Sequence, residues 1–258
     1  MIFKNSFWIW NKNAGELNSY SDFQVEFNAD TNQKYVLYIS SCVNHMITLN
    51  GEYVPSSQRE GYEFCPEYQT VDLTDKIIQG NNELIITVYS QGMNSFIWKK
   101  RPAGLIFELR ENDTIINTSS EKTPSRVNKS FLSGDMEFIS PMLAYTFKAD
   151  LTAHLEPFSD DSIIVDKNYN LSERTIKDLD VSENVLSEIV AQGEFIDKSP
   201  ASVPLGKRAF NAFLSSKIIT EIARDVSIGI YNNEFFLDGK NSYCFDTSND
   251  CDGIYLTV

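Results

Sequence analysis

Histidine and cysteine are scarce in this chain of 258 residues, which contains two histidines and four cysteines. Neither His45 nor His154 belongs to the sets of paired cysteines and paired histidines that build zinc sites, so we expect no metal bound there. The cysteines are Cys42, Cys65, Cys244 and Cys251. They form no Cys-x-x-Cys pair and are too few for a disulfide framework, which predicts reduced and mostly buried thiols.

Motifs of covalent and phosphate chemistry are also missing. The sequence has no Gly-x-Ser-x-Gly elbow and no glycine-rich loop that could hold a phosphate. Glycoside hydrolysis needs only two well-placed carboxylates, but no pair stands out among the 36 acidic residues. Acidic runs at residues 159–161 and 249–252 could bind calcium, although aspartate is common in turns without any metal. We therefore predict no catalytic residue, no cofactor and no metal ligand.

Positive charge is in deficit, since 22 Lys and Arg against 36 Asp and Glu give a formal net charge of −14. Such a surface repels phosphate backbones and anionic lipids, so we expect neither nucleic acid nor membrane as a partner. The N-terminus lacks a basic start followed by a long apolar run, which argues against a secretory signal. This predicts a cytoplasmic protein, although a chain already trimmed of its signal would look the same.

Alternation of apolar and polar residues dominates the sequence. Residues 23–27, 35–39, 84–88 and 105–109 each place every second side chain among the apolar types, the pattern of half-buried strands. The dipeptide Asn50-Gly51 lies between apolar runs and favours a two-residue hairpin turn. The pattern predicts an all-β chain with jelly-roll-like β-sandwiches and at most one or two short helices.

The chain is long enough for two such domains. Residues 117–130 are polar and poorly patterned, which predicts a linker, and we place the domains at 1–122 and 123–258. Apolar residues at helical spacing in 181–190 leave a short helix open as an alternative. The final residues, 253–258, form a strand pattern without a polar tail, so we expect more protein to follow in the natural chain.

Aromatic and basic side chains in two connections are the candidate ligand-binding groups. The C–H faces of sugar rings pack on aromatic rings, and polar groups at the rim bind the hydroxyls. The candidate carbohydrate-binding residues are Arg59, Tyr62, Tyr68, Trp98 and Arg101. Such rings also commonly cap a core or contact another domain, and this alternative stays open. Trp8 and Trp10 share one face of a predicted strand and are interpreted as core or domain-contact residues.

Several short motifs resemble the N-terminal β-sandwich region of bacterial α-L-rhamnosidases and related glycoside hydrolases. The opening is similar at residues 7–10 and 23–27, and the galactose-binding-like jelly roll is similar at residues 35–39, 49–54 and 68–84. Fainter similarity covers residues 172–179, 193–195 and 246–256, which resemble the next β-sandwich and the segment that precedes the catalytic domain.

The resemblance implies a non-catalytic accessory region that packs on a catalytic α/α-barrel and contacts substrate. The family's barrel would follow residue 258, so no catalytic residue is transferred to this sequence. A catalytic domain in the parent chain and a carbohydrate are therefore the expected partners. Two other functions stay open, namely a free-standing carbohydrate-binding module and a structural module that binds another protein.

Overall fold

The structure is a computed structural model, and it describes most residues up to position 176. The described residues are 2–42, 44–56, 66–96, 98–134, 136, 138–140, 142, 144–145, 147, 149–150, 152–166, 170–176, 193–194 and 241–242. The chain divides into two compact units, one of Met1–Met136 with Phe147–Leu179 and one of Glu137–Thr146 with Asp180–Val258. The predicted helix at 181–190 and the strands predicted beyond residue 195 lie outside the described residues.

Sixteen strands occur in the described residues, and the helical part of these residues is a single 3-10 turn at Thr74–Lys76. The strands are β1 (Ile9–Asn11), β2 (Ser19–Ala29), β3 (Tyr35–Ser41), β4 (Asn44–Leu49), β5 (Glu52–Val54), β6 (Glu67–Asp72), β7 (Gly80–Ser90), β8 (Leu105–Glu111), β9 (Thr114–Thr118), β10 (Ser125–Val127), β11 (Phe138–Ser140), β12 (Ala144–Tyr145), β13 (Ser162–Ile164), β14 (Ser172–Glu173), β15 (Gly193–Glu194) and β16 (Asn241–Ser242). The predicted all-β class is confirmed.

The larger sheet, sheet A, has the strand order β13-β1-β8-β3-β6-β14, with β9 also on β8. Strand β3 pairs with β8 over the whole of Leu105–Glu111, so β1 and β9 share the other edge of β8. All pairs are antiparallel except β14 with β6, which is parallel. Five of these strands come from the first 122 residues. The two edge strands, β13 and β14, come from later in the chain.

The second sheet, sheet B, has the order β10-β2-β7-β4-β5. Strands β2 and β7 pair in register along their full eleven residues, from Ser19 with Ser90 to Ala29 with Gly80. The hairpin between β4 and β5 turns at Asn50 and Gly51, whose φ angles of 54° and 82° are those of the predicted two-residue turn. The hairpin prediction is therefore confirmed.

The core of the sandwich lies between the two sheets. Alternate residues of β2 and β7 meet alternate residues of β3 and β8 in one buried cluster. The side chains of Phe23, Ile39, Leu84 and Phe107 have no exposed surface. Burial of this kind is worth about 1.5–3 kcal/mol for each large apolar side chain, so the alternation that the sequence shows is also the main source of stability.

Residues 117–130 are not a linker, and that prediction is wrong. Strand β10 in this stretch pairs with β2, and Asn11 of sheet A donates its amide Nδ2–H to Ser125 Oγ of sheet B at 2.9 Å. The hydroxyl of Ser162 donates to the Thr123 carbonyl at 2.6 Å. Four polar residues of this stretch, Ser119, Thr123, Ser125 and Asn128, are buried. Hydrogen bonds to other parts of the sandwich make this burial possible, whereas polarity alone suggests an exposed loop.

The predicted domain boundary at residue 122 stays a prediction. Strands β10, β13 and β14 lie after this position and pair with β2, β1 and β6, which lie before it. In the second unit the structure describes two short antiparallel ladders, β11 with β12 and β15 with β16. The predicted second β-sandwich falls mostly outside the described residues.

A buried carboxylate anchors β10 to the outer face of sheet B. Asp22 is 1% exposed and accepts hydrogen bonds from Thr87 Oγ1 at 2.7 Å, Asn128 Nδ2 at 2.9 Å and Arg126 Nε at 3.0 Å. The guanidinium of Arg126 lies 4.1 Å from the ring centre of Phe158. Every oxygen of the carboxylate therefore has a partner, which is the condition for burying a charge.

The part of the chain that the structure describes contains no helical segment with the length and hydropathy of a membrane span. Cys42 is a buried free thiol, as predicted. Cys65, Cys244 and Cys251 lie outside the described residues.

Candidate functional site

Both sheets bring their loops to one end of the sandwich. Leu105 pairs with Ser41 and Gln69 pairs with Ile39, so β3 ends where β6 and β8 begin. In sheet B, Tyr89 near the end of β7 pairs with residues near the starts of β2 and β4. We call residues 12–18, 91–96 and 98–104 the loop end. The first group connects β1 to β2, and the other two lie in the connection from β7 to β8. Loops at the end of a rigid sandwich are common positions for binding residues.

Hydrogen bonds within the β7–β8 loop join several of its described residues. The Ser95 N–H donates to the Trp98 carbonyl at 2.8 Å, and the Lys100 N–H donates to Asn94 Oδ1 at 2.7 Å. The buried side chain of Gln91 donates to the Met93 carbonyl at 3.0 Å. These bonds satisfy backbone groups that an irregular loop otherwise leaves to water.

The two loops of the loop end touch at Gly92. This residue has a φ of +70°, and a β-carbon built on it would lie 1.8 Å from the Glu16 carbonyl oxygen. The adjacent Gln91 carbonyl accepts the Asn18 N–H at 3.1 Å. Only glycine allows the two backbones to approach so closely with this conformation.

We expect Gly92→Ala to lower the free energy of unfolding by about 2–3 kcal/mol, because it adds a left-handed non-glycine residue and a clash with backbone. Urea denaturation followed by circular dichroism measures the change. The matched control is Gly15→Ala in the adjoining loop, where a β-carbon meets nothing within 4 Å. Equal stability of the two variants would contradict this packing.

Trp98 and Arg101, two of the predicted site residues, lie together in the loop end. The guanidinium carbon of Arg101 is 4.5 Å from the Trp98 ring centre, a cation–π contact. Trp98 is half-buried, and its indole N–H is buried without a hydrogen-bond partner in the described residues. One face of the ring is therefore covered by a cation, and the pair offers a mixed charged and aromatic surface rather than a bare stacking platform.

Tyr68 belongs to a different group on the outer face of sheet A. Its ring makes edge contacts with Phe3 at 5.4 Å and with Tyr38 at 6.2 Å between ring centres. Burial raises the pKa of Tyr68 above its usual value, and the charge of Glu173 raises it further. These contacts make Tyr68 part of a packed aromatic group that the N-terminal residues cover. Arg59 and Tyr62 lie outside the described residues, so their part in the site stays a prediction.

Beside this aromatic group lies a second buried carboxylate, that of Glu108. It has no exposed surface, accepts the Phe3 N–H at 3.0 Å, and accepts Arg110 Nε at 2.7 Å. The Arg110 guanidinium also lies 5.2 Å from the Tyr38 ring centre. Glu108 therefore ties the N-terminal residues to sheet A, a role that its position in an alternating strand does not reveal.

The raised tyrosine pKa values predict a loss of stability in alkali. Burial raises the pKa of Tyr20, Tyr35 and Tyr68, and in Tyr35 the hydrogen bond to Glu111 raises it further. A tyrosine whose pKa is higher in the folded than in the unfolded protein stabilises the fold at pH values below its unfolded-state pKa of about 10. This contribution is lost as the pH rises through the folded-state pKa.

We therefore expect the difference in unfolding free energy between the natural chain and Tyr68→Phe to shrink as pH rises above about 10. Urea denaturation at a series of alkaline pH values measures it, and absorbance of tyrosinate follows the titration. A difference that stays constant across that range would show that Tyr68 titrates as an exposed phenol does.

The most useful site residues that sequence reasoning missed are Lys99 and Lys100. Both are exposed, and they precede Arg101 in the one run of three consecutive basic residues in the sequence. That run was a visible signal in a chain of net charge −14. Phe96 in the same loop is 79% exposed. The sequence alone does not show whether an apolar residue in a predicted connection is exposed or buried.

No protein-family model matches the chain, and no curated protein matches its sequence. Solved structures of similar fold are found. A family GH78 rhamnosidase of Bacillus sp. GL1 matches with a TM-score of 0.52 and 17% identity, covering 57% of this chain and 16% of that one. The α-L-rhamnosidase of Dictyoglumus thermophilum matches with a TM-score of 0.51 and 14% identity, covering 76% of this chain and 24% of that one.

The chain thus corresponds to between 16% and 24% of the length of these two enzymes. At such low identity the likeness concerns the fold. The resemblance inferred from residues 7–84 is confirmed at that level: this chain folds as an α-L-rhamnosidase-like β-rich region.

Proposed function

We propose that this chain is a non-catalytic accessory β-sandwich region of an α-L-rhamnosidase-like glycoside hydrolase, which supports a catalytic domain and contacts carbohydrate through its loop end. The observation that carries the proposal is the shared fold with two rhamnosidases of which this chain matches only a minor part. A region of that size in a longer enzyme can position a substrate without supplying catalytic groups.

The hydrogen bonds and ion pairs of the buried carboxylates support a non-catalytic role. A glycosidase needs two carboxyl groups that face the scissile bond from an accessible cleft. Among the described residues, the buried acidic side chains are Asp22 and Glu108, and each is bound by an arginine and further hydrogen-bond donors. Such carboxylates hold strands and the N-terminal residues together, and their oxygens are already engaged by donors of the chain itself.

The direct test is hydrolysis of an aryl α-L-rhamnoside by the purified chain. We expect no release of the aryl group above the uncatalysed rate, while a complete α-L-rhamnosidase assayed in parallel releases it. Turnover by this chain that survives repurification would overturn the non-catalytic assignment.

A free-standing carbohydrate-binding module is the second candidate, and the contact between Trp98 and Arg101 favours it. In that case the chain alone binds a rhamnose-containing oligosaccharide, and Trp98→Ala abolishes binding measured by titration calorimetry. Ile78→Ala, an exposed apolar residue outside the loop end, is the matched control. Binding that is equal in both variants would exclude Trp98 from the sugar site.

A further inference from the structure

Asn50 is the one asparagine in the sequence that a glycine follows. Such a pair is prone to deamidation, because glycine has no side chain to shield its backbone nitrogen from the side-chain amide before it. Asn50 and Gly51 are both exposed at the tip of the β4–β5 hairpin. A β-carbon built on Gly51 meets nothing within 4 Å, so the space beside this peptide bond is open to solvent.

The side chain of Asn50 is nevertheless held against β7. Its Oδ1 accepts the Glu83 N–H at 2.9 Å, and its Nδ2 donates to Asn82 Oδ1 at 2.9 Å. The backbone N–H of Asn50 donates to the Glu83 carbonyl at 2.8 Å. The side-chain amide must therefore give up two hydrogen bonds before it can turn towards the backbone nitrogen of Gly51.

Asn82, which accepts one of these bonds, is itself fixed by its neighbours. It is 2% exposed, and its Nδ2 donates to the carbonyl oxygens of Ile78 at 2.8 Å and Gly80 at 2.9 Å. Its Oδ1 also accepts the Ile78 N–H at 3.0 Å. A half-turn of this amide would set donors against donors and acceptors against acceptors, so its oxygen stays directed at Asn50.

We infer that Asn50 is a deamidation site and that its hydrogen bonds to Asn82 and Glu83 restrain the reaction in the folded chain. In this reaction the nitrogen of Gly51 bonds to Cγ of Asn50, and the side-chain nitrogen leaves as ammonia with the proton of the Gly51 N–H. Water then opens the cyclic imide and leaves aspartate or isoaspartate in place of the asparagine. The inference does not depend on the proposed function.

Deamidation removes the contact that restrains it. The new carboxylate has an oxygen where Nδ2 of Asn50 donated to Asn82 Oδ1, so two acceptors face each other and the hydrogen bond is lost. The reaction also adds a negative charge to a chain whose net charge is already −14. Both changes weaken the attachment of the β4–β5 hairpin to β7.

Peptide mapping by mass spectrometry tests the inference while the purified chain is incubated in a mildly alkaline buffer. The peptide that carries Asn50 is followed for conversion to aspartate and isoaspartate. Because Asn82→Ala removes one hydrogen bond of ordinary strength from Asn50, we expect this variant to deamidate about fivefold faster than the natural chain. The matched control is Asn81→Ala, which changes the exposed asparagine next to Asn82 and should react within about twofold of the natural chain.

A second comparison needs no variant, and it decides the matter if circular dichroism shows that Asn82→Ala does not fold. The natural chain in concentrated guanidinium chloride has lost both side-chain bonds, so Asn50 should deamidate at least about tenfold faster there than in the folded chain. Equal rates in the folded and unfolded chains, or in the two variants when both are folded, would mean that the restraint is absent and the inference wrong. If Asn50 stays intact even in the unfolded chain, it is not a deamidation site and the inference is also wrong.

Discussion

Replacing Phe107 with alanine is expected to lower the free energy of unfolding by about 3–5 kcal/mol. Phe107 lies on β8, which β3 borders on one side and β1 and β9 on the other, and its ring has no exposed surface. The ring belongs to a cluster of buried side chains, drawn from the described residues, that joins both sheets, so its removal leaves a cavity that neighbouring strands cannot close.

Urea denaturation followed by tryptophan fluorescence measures this loss. The control is Ile78→Ala, because the side chain of Ile78 is 52% exposed and its removal should change stability by less than about 0.5 kcal/mol. A loss below about 1 kcal/mol for the Phe107 variant would contradict a close-packed core at this position.

Asp22→Ala is expected to lower the free energy of unfolding by about 3 kcal/mol, because it leaves the mostly buried Arg126 without its counter-ion. It also removes the acceptor of the hydrogen bonds from Thr87 and Asn128. Arg126 and Asn128 belong to the polar stretch beyond residue 122, so the loss measures how firmly this stretch is attached to sheet B.

A second variant separates the charge from the packing. The double change Asp22→Leu, Arg126→Met removes both charges and keeps apolar volume, so it should regain most of the lost stability. Denaturation curves of the single and double variants give the comparison. If the double variant is as unstable as Asp22→Ala, the ion pair does not explain the cost of the single change.

The sequence predicts those strands well in which one face is buried and the other exposed. In β2, β3 and β8 the alternation of apolar residues coincides with the buried cluster, and Asn50-Gly51 forms the predicted hairpin. Burial of one face determines this pattern directly, so the residues reveal it without knowledge of the partner strands.

The alternation of apolar and polar residues does not predict strands that pair through polar residues. Ser125 of β10 and Ser162 of β13 are buried because they hydrogen-bond to each other at 3.0 Å across the sheets. Their environment depends on long-range partners, so a polar stretch such as 117–130 resembles a linker until those partners are known.

The candidate site was predicted in part for a similar reason. The sequence places Trp98 and Arg101 three residues apart in one connection, and local geometry is enough to bring them together. The position of Tyr68 depends on Phe3, which is distant in sequence, so its packing against the N-terminal residues could not be inferred from spacing.

Strands from beyond residue 122 complete both sheets of the sandwich, β13 and β14 in sheet A and β10 in sheet B. Amide hydrogen exchange of the intact chain tests this most directly at Ser125 and Asn128, whose N–H groups donate to Ser159 and Tyr20. We predict slow exchange at both amides, comparable with that of the amides in β2. Exchange as fast as in an unstructured linker would contradict it.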